Sequence, residues 1–145
     1  MPSVNKDIEP GLDITTEQEL NTLNEEWDTG KLQALSGYLL EFIDRHREEI
    51  LKLARTSKSP EKRVEAFKKL VRQRGYIHLP LDMADQIHEI NNEIWYQGEK
   101  GDFNRQKIKE IWTLKHASTW RRWRVKQILY IIDRRASEVA AHLMR

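Results

Sequence analysis

The segment 112–126 contains the residue types that could carry chemistry. It sets Trp112, Trp120 and Trp123 among several cations. Lys and Arg neutralise backbone phosphates, and an exposed indole can stack on an unpaired base. This hypothesis predicts an anion-binding or nucleic-acid-binding surface made of the following residues: Lys115, His116, Trp120, Arg121, Arg122, Arg124 and Lys126.

A structural aromatic seam explains the same residues and is the favoured interpretation. Trp is the largest apolar side chain, and Arg stems can pack beside it with their charged ends in water. On a helical wheel, Trp112, Trp123 and Tyr130 share one stripe. A second stripe lies on another face and comprises Val125, Ile128, Leu129, Ile132, Ala136, Val139 and Leu143. A helix with two apolar faces is typical of the centre of a bundle or of a homo-oligomer contact.

Charge is distributed unevenly along the chain, although the net charge is only +2. Residues 1–30 contain eight acids and one Lys, whereas residues 100–145 contain twelve Lys or Arg and four acids. Such asymmetry favours either an anionic partner, protein or nucleic acid, or docking of the first helix on the last. We expect Leu20, Leu23 and Trp27 to anchor that docking, because exposed ion pairs alone contribute little stability.

A weaker alternative is a metal-dependent helical enzyme. Asp85 and His88 are three residues apart, with Glu89 adjacent, and so resemble half of a carboxylate-bridged metal site in a helical bundle. No second Asp/Glu-x-x-His pattern occurs in the chain. The sequence therefore assigns no catalytic residue, no metal ligand and no cofactor.

The helix boundaries follow from capping signals. Thr16 with Glu19 forms a capping box at the start of the first helix, and an apolar period of three and four predicts one long core helix over 31–53. Ser59 and Pro60 begin a third helix that Gly75 ends. Residues 76–80 are predicted as an extended connector packed on the core.

A fourth helix is predicted to begin near Asp82, and Asp102 or Asn104 to cap the last one. Apolar spacing in the fourth helix predicts that these residues are buried: Met83, Ile87, Ile90 and Ile94. The opposite, solvent-facing side is predicted to carry these acids: Asp82, Asp85, Glu89 and Glu93.

Composition limits the fold class and the setting. The chain of 145 residues is 39% hydrophobic and 33% charged, with six Gly and four Pro, which favours helices. We expect an all-α single domain over 16–145, preceded by a disordered acidic arm over 1–15. The domain is predicted to be a bundle of five or six helices, with a long C-terminal helix that can carry a kink. There is no Cys, no targeting segment and no apolar run long enough for a bilayer, so we expect a cytoplasmic protein without a membrane partner.

These observations favour a helical interaction or adaptor protein without enzymatic activity, which self-associates through the C-terminal helix. The alternative is a nucleic-acid-binding protein that uses the basic aromatic segment 112–126. The two differ in salt dependence, because binding to phosphates weakens steeply as salt rises.

Overall fold

The computed structural model describes residues 15–145, which form helices and no β-strand. The all-α prediction is confirmed for this part of the chain, but the described residues divide into more helices than the five or six predicted. The predicted acidic arm over 1–15 lies outside the described residues except for Thr15. The helices are α1 (Glu17–Asp28), α2 (Gln33–Gly37), α3 (Leu39–Arg45), α4 (Arg47–Leu53), α5 (Pro60–Arg74), α6 (Leu79–Glu99), α7 (Arg105–Arg134) and α8 (Ala136–Leu143).

Capping residues set the helix ends where the sequence predicts them. The Thr16 hydroxyl accepts the backbone N–H of Glu19 at 3.1 Å, and the Glu19 carboxylate accepts the backbone N–H of Thr16 at 3.0 Å. Ser59 caps α5, and Gly75 ends it with φ 81°, a left-handed conformation that costs glycine little. Asn104 rather than Asp102 caps α7.

The predicted long helix over 31–53 is divided into α2, α3 and α4. The divisions fall at Tyr38, where ψ is −2°, and at His46, where ψ is 23°. Gly37, a poor helix former, precedes the first, and the Tyr38 ring stacks on His78 at a centroid distance of 3.6 Å. At the second, His46 Nδ1 lies 2.9 Å from Glu49 Oε1. The apolar residues keep their spacing of three and four across both divisions, because the backbone at Tyr38 and His46 stays close to helical.

One hydrophobic core holds α2 to α5 together with the second half of α7 and with α8. Phe67 of α5, Ile128 of α7 and Val139 of α8 have no measurable exposure. The connector before α6 contributes Ile77, which is buried in this core as predicted. The predicted connector is too long, because α6 begins at Leu79 rather than near Asp82. These parts, residues 15–78 and 120–145, are called the body below.

Helix α6 and the first half of α7 form an antiparallel pair, residues 79–119, called the hairpin below. Its helices pack against each other, and Ile108 and Trp112 are buried. Neither residue belongs to the core of the body. Helix α6 has 21 residues, so the hairpin extends about 30 Å.

The predicted orientation of α6 is wrong at its first two turns. Met83 and Ile87, expected to be buried, are 53% and 54% exposed, whereas Asp82, expected in solvent, is 8% exposed. Asp82 faces Arg124, which is buried and needs a carboxylate partner. Because Met83 is one residue and thus about 100° further round the helix, the same rotation leaves it in solvent.

The C-terminal stretch, expected as one long helix that can carry a kink, consists of α7 and α8, which meet at Arg135 (φ −112°, ψ 31°). The Arg135 guanidinium donates to the Ser36 carbonyl oxygen at 2.6 Å and to both oxygens of the Glu138 carboxylate. These bonds fix the junction on α2. The pKa of Glu138 lies below its ordinary value mainly because Arg135 donates to it.

Candidate functional site

Arg124, one of the predicted anion-binding cations, is used inside the protein. It is 5% exposed, and its Nε donates to Asp82 Oδ1 at 2.7 Å. A second nitrogen donates to Asp85, and a third to Gln127 Oε1 at 3.2 Å. The guanidinium also lies 5.2 Å from the Trp120 ring centroid. This cluster joins α6 to α7 at the base of the hairpin.

Lys126 connects α7 to the first helix. It is 7% exposed, and its ammonium donates to Glu19 Oε1 at 2.9 Å. Next to it, the Gln127 amide donates to Glu26 Oε1, also at 2.9 Å. Leu23 is buried beside these bonds. Acids of α1 therefore dock on α7, as the charge asymmetry predicts. Of the three expected apolar anchors, Leu23 is buried and Trp27 packs against the core, whereas Leu20 is 44% exposed.

Arg121 caps the C-terminus of α5. Its guanidinium donates to the backbone carbonyl of Gln73 at 3.1 Å, and Arg side chains commonly satisfy the free carbonyls at helix ends. The approach is close at Gly75, where a Cβ would lie 2.7 Å from the Nε of Arg121. Glycine is needed there for space as well as for its positive φ.

The other four predicted residues are divided between the hairpin and the body. Lys115 and His116 are exposed on the hairpin, where the His116 ring lies 5.5 Å from that of Trp112. Arg122 is exposed at the level of the body, and Trp120 is half-buried under Arg124. The anion-binding surface stays a prediction, and within the protein Arg121, Arg124 and Lys126 bond to backbone or side-chain oxygens.

A cleft of about 240 Å³ lies where the hairpin meets the body. The indole N–H of Trp120 is buried there and has no hydrogen-bond partner among the described residues. The lining includes the residues of the weaker enzyme hypothesis: Asp85, His88 and Glu89. Asp85 already bonds to Arg124, and the described residues contain no cluster of three His or acidic side chains placed to hold a metal ion.

The exposed apolar surface of the hairpin was not predicted from the sequence. The described residues include ten exposed large apolar side chains, and eight belong to the hairpin: Leu79, Met83, Ile87, Trp95, Tyr96, Phe103, Ile111 and Leu114. Apolar spacing could not reveal them, because the same spacing marks a buried face. The sequence does contain one signal that this face of α6 is exposed. Asp82 and Asp85 are three residues apart on one helix face, and the surplus of arginine elsewhere in the chain could turn that acidic face inward.

The two helices of the hairpin carry opposite charge. Residues 79–99 contain five acids and no Lys or Arg, whereas residues 105–119 contain four Lys or Arg and one Glu. Asp82 and Asp85 are paired with Arg124. Glu89 and Glu99 on α6, and the four cations on α7, are exposed and make no ion pair with any described residue. The hairpin thus presents unpaired charges of both signs beside its apolar side chains.

A second surface missed by the sequence analysis lies between α4 and α5. It is a groove of about 690 Å³ with Leu53, Ala54 and Ala66 at its base and Lys62 and Lys69 along its rim. The chain reaches it through a turn in which two residues that are not glycine have positive φ: Arg55 and Thr56. That conformation is uncommon, especially for a β-branched residue.

Comparison of the chain with protein-family models, with curated proteins and with solved structures finds no match. Within residues 15–145, no helix combines the length and apolar character needed to cross a bilayer.

Proposed function

We propose that this protein is a helical interaction protein that self-associates through its hairpin. The observation that carries the proposal is the concentration of exposed apolar side chains in residues 79–114, with Leu114 86% and Phe103 78% exposed. Large exposed apolar surfaces on small proteins mark interaction sites. Helices gain most of their stability from packing an apolar face, and a pair of helices in solvent covers only part of it.

The reason for self-association differs from the one that the sequence suggests. The two apolar stripes of the last helix are largely covered within the chain, one by α6 at Trp112 and the other by the body at Ile128. The uncovered surface includes Ile111 and Leu114, three residues apart and therefore on one face of α7. A second hairpin laid on this face would complete a four-helix bundle.

The available area suits such a contact. A face two helices wide and about 30 Å long covers on the order of 600 Å², close to the roughly 800 Å² per partner of a stable interface. A closed two-fold dimer uses the same face on both copies, so one exposed hairpin face per chain is sufficient.

The test is a mass measurement by light scattering over a wide range of micromolar concentration. We expect the mass to rise from the 17.3 kDa of one chain to twice that value. Leu114→Glu should abolish the rise, because it places a charge in the contact. Leu20→Glu is the matched control, since Leu20 is 44% exposed on the body. A mass that stays at 17.3 kDa at high micromolar concentration would refute self-association.

A further inference from the structure

The charge pattern of the hairpin indicates which helices meet, provided that the proposed self-association holds. We infer that α6 of one copy lies against α7 of a second copy, with the two-fold axis running along the hairpin. The occupant of the exposed hairpin face is thus a second copy of this chain. The alternative two-fold arrangement, α6 against α6, would place two acidic helices side by side.

The unpaired charges are those that this arrangement would use. Glu89 and Glu99 of α6 are exposed, as are Lys107 and Lys115 of α7, and none of the four makes an ion pair with a described residue. On α7, Lys107 lies four residues before Ile111, and Lys115 directly follows Leu114. Cations therefore flank the exposed apolar pair, as expected of an interface with an apolar centre and a charged rim.

The register follows from the contact between Asp82 and Arg124 within one hairpin. Counting along antiparallel helices from that pair places residue 99 level with residue 107, and residue 89 level with residue 117. A two-fold axis along the hairpin preserves these levels in the second copy. Glu99 then lies level with the partner's Lys107, and Glu89 within one turn of the partner's Lys115.

Complementary charges of this kind select partners and orientation more than they add affinity. In an α6-to-α7 dimer each pair occurs twice by symmetry, so reversing one helix creates four like-charge contacts. In an α6-to-α6 dimer, reversing all the acids of the contact would replace one like-charge contact by another. Charge reversal therefore distinguishes the two arrangements.

The experiment uses two full-length variants and sedimentation equilibrium. The acid-reversed variant carries Glu89→Lys and Glu99→Lys, and the base-reversed variant carries Lys107→Glu and Lys115→Glu. We expect each alone to raise the dimer dissociation constant at least about tenfold. An equimolar mixture should form a heterodimer that dissociates within about threefold of the unaltered protein, because both of its interfaces regain opposite charges.

Two controls separate the contact between copies from effects within one hairpin. Circular dichroism at a concentration where the chain is monomeric reports whether each variant keeps its helices. Recovery in the mixture cannot come from relief of repulsion within a single hairpin, because mixing leaves each chain unchanged. Glu25→Lys with Glu48→Lys, on exposed acids of the body, should leave dimerisation as it was.

The outcomes also separate this inference from the proposed function. If the unaltered protein dimerises and Leu114→Glu disrupts the dimer, but the acid-reversed variant dimerises equally well or better, self-association stands and the α6-to-α7 pairing is wrong. Failure of the mixture to recover would also overturn the pairing. A monomeric unaltered protein overturns both.

Discussion

Ile128 and Leu114 lie on the same helix, α7, yet Ile128 has no measurable exposure and Leu114 is 86% exposed. Ile128 lies in the core of the body with residues of α2, α5 and α8, while Leu114 lies in the hairpin, where α7 packs against α6. A helix needs neighbours on more than one side to cover a wide apolar face. The number of neighbouring helices, rather than residue type, therefore determines how exposed the apolar side chains are in each half of α7.

The body and the hairpin also differ in how their charged side chains are paired. In the body, cations are fixed by partners from distant segments, as Lys126 is by Glu19 and Arg135 by Ser36. In the hairpin, Lys107 and Lys115 are exposed without ion pairs to described residues. The body therefore uses its charges to hold one structure, whereas the hairpin leaves charge and apolar surface exposed to solvent.

The largest effect should come from breaking the joint between the two regions. Arg124→Ala leaves buried Asp82 without its cation, and we expect a loss of about 3–5 kcal/mol in the free energy of unfolding, measured in urea. Lys109→Ala, on an exposed residue of the same helix, is the control and should change stability little.

Replacing both charges tests the same cause. Arg124→Met combined with Asp82→Leu should recover at least about half of the loss, since an apolar pair can replace a buried ion pair. If the double variant is no more stable than Arg124→Ala, the ion pair is not what the joint depends on.

An intermediate effect should separate the two regions directly. Ile128→Ala in the body should lower the free energy of unfolding by about 2–5 kcal/mol, because it leaves a cavity among several helices. Ile108→Ala in the hairpin should lower global stability by less than about 1 kcal/mol and instead speed amide hydrogen exchange locally, because the hairpin can open without the body. Both are measured where the chain is monomeric. Equal losses would show that hairpin and body unfold as one unit.

The smallest effect concerns pH. The pKa of Glu19 lies below its ordinary value, first because the backbone N–H of Thr16 donates to it and second because Lys126 does. Stability from a lowered pKa is present above the unfolded value of about 4.3 and is lost as pH falls through the folded value. Glu19→Gln should therefore reduce the loss of stability between about pH 7 and pH 3, by less than about 1 kcal/mol.

The control for the pH effect is a carboxylate of the hairpin. Glu89→Gln removes an exposed acid that makes no ion pair with a described residue. At a concentration where the chain is monomeric, its loss of stability between about pH 7 and pH 3 should match that of the unaltered protein. If Glu89→Gln shifts the curve as much as Glu19→Gln does, the docking bond of α1 has no special role.

Features that depend on neighbouring residues could be predicted from the amino-acid sequence. The caps at Thr16 and Ser59 and the left-handed end at Gly75 lie where local hydrogen bonding and backbone sterics require them. The buried stripe of the body was also predictable, since its period of three and four holds across the divisions at Tyr38 and His46. Docking of the acidic first helix followed from charge counted along the chain.

Contacts between distant segments set which face of α6 turns inward and which cations stay exposed, and neither could be predicted from the sequence. Apolar period predicts Met83 as buried, but Arg124 is buried 42 residues further on and draws Asp82 inward instead. Arg121 looks like a phosphate ligand in the sequence, yet the carbonyls that it caps belong to α5. These contacts join residues far apart in the chain, and the cost of burying an unpaired charge exceeds the gain from covering one apolar side chain. A local sequence pattern cannot predict which of these two free energies is larger, because the answer depends on which distant segments come into contact.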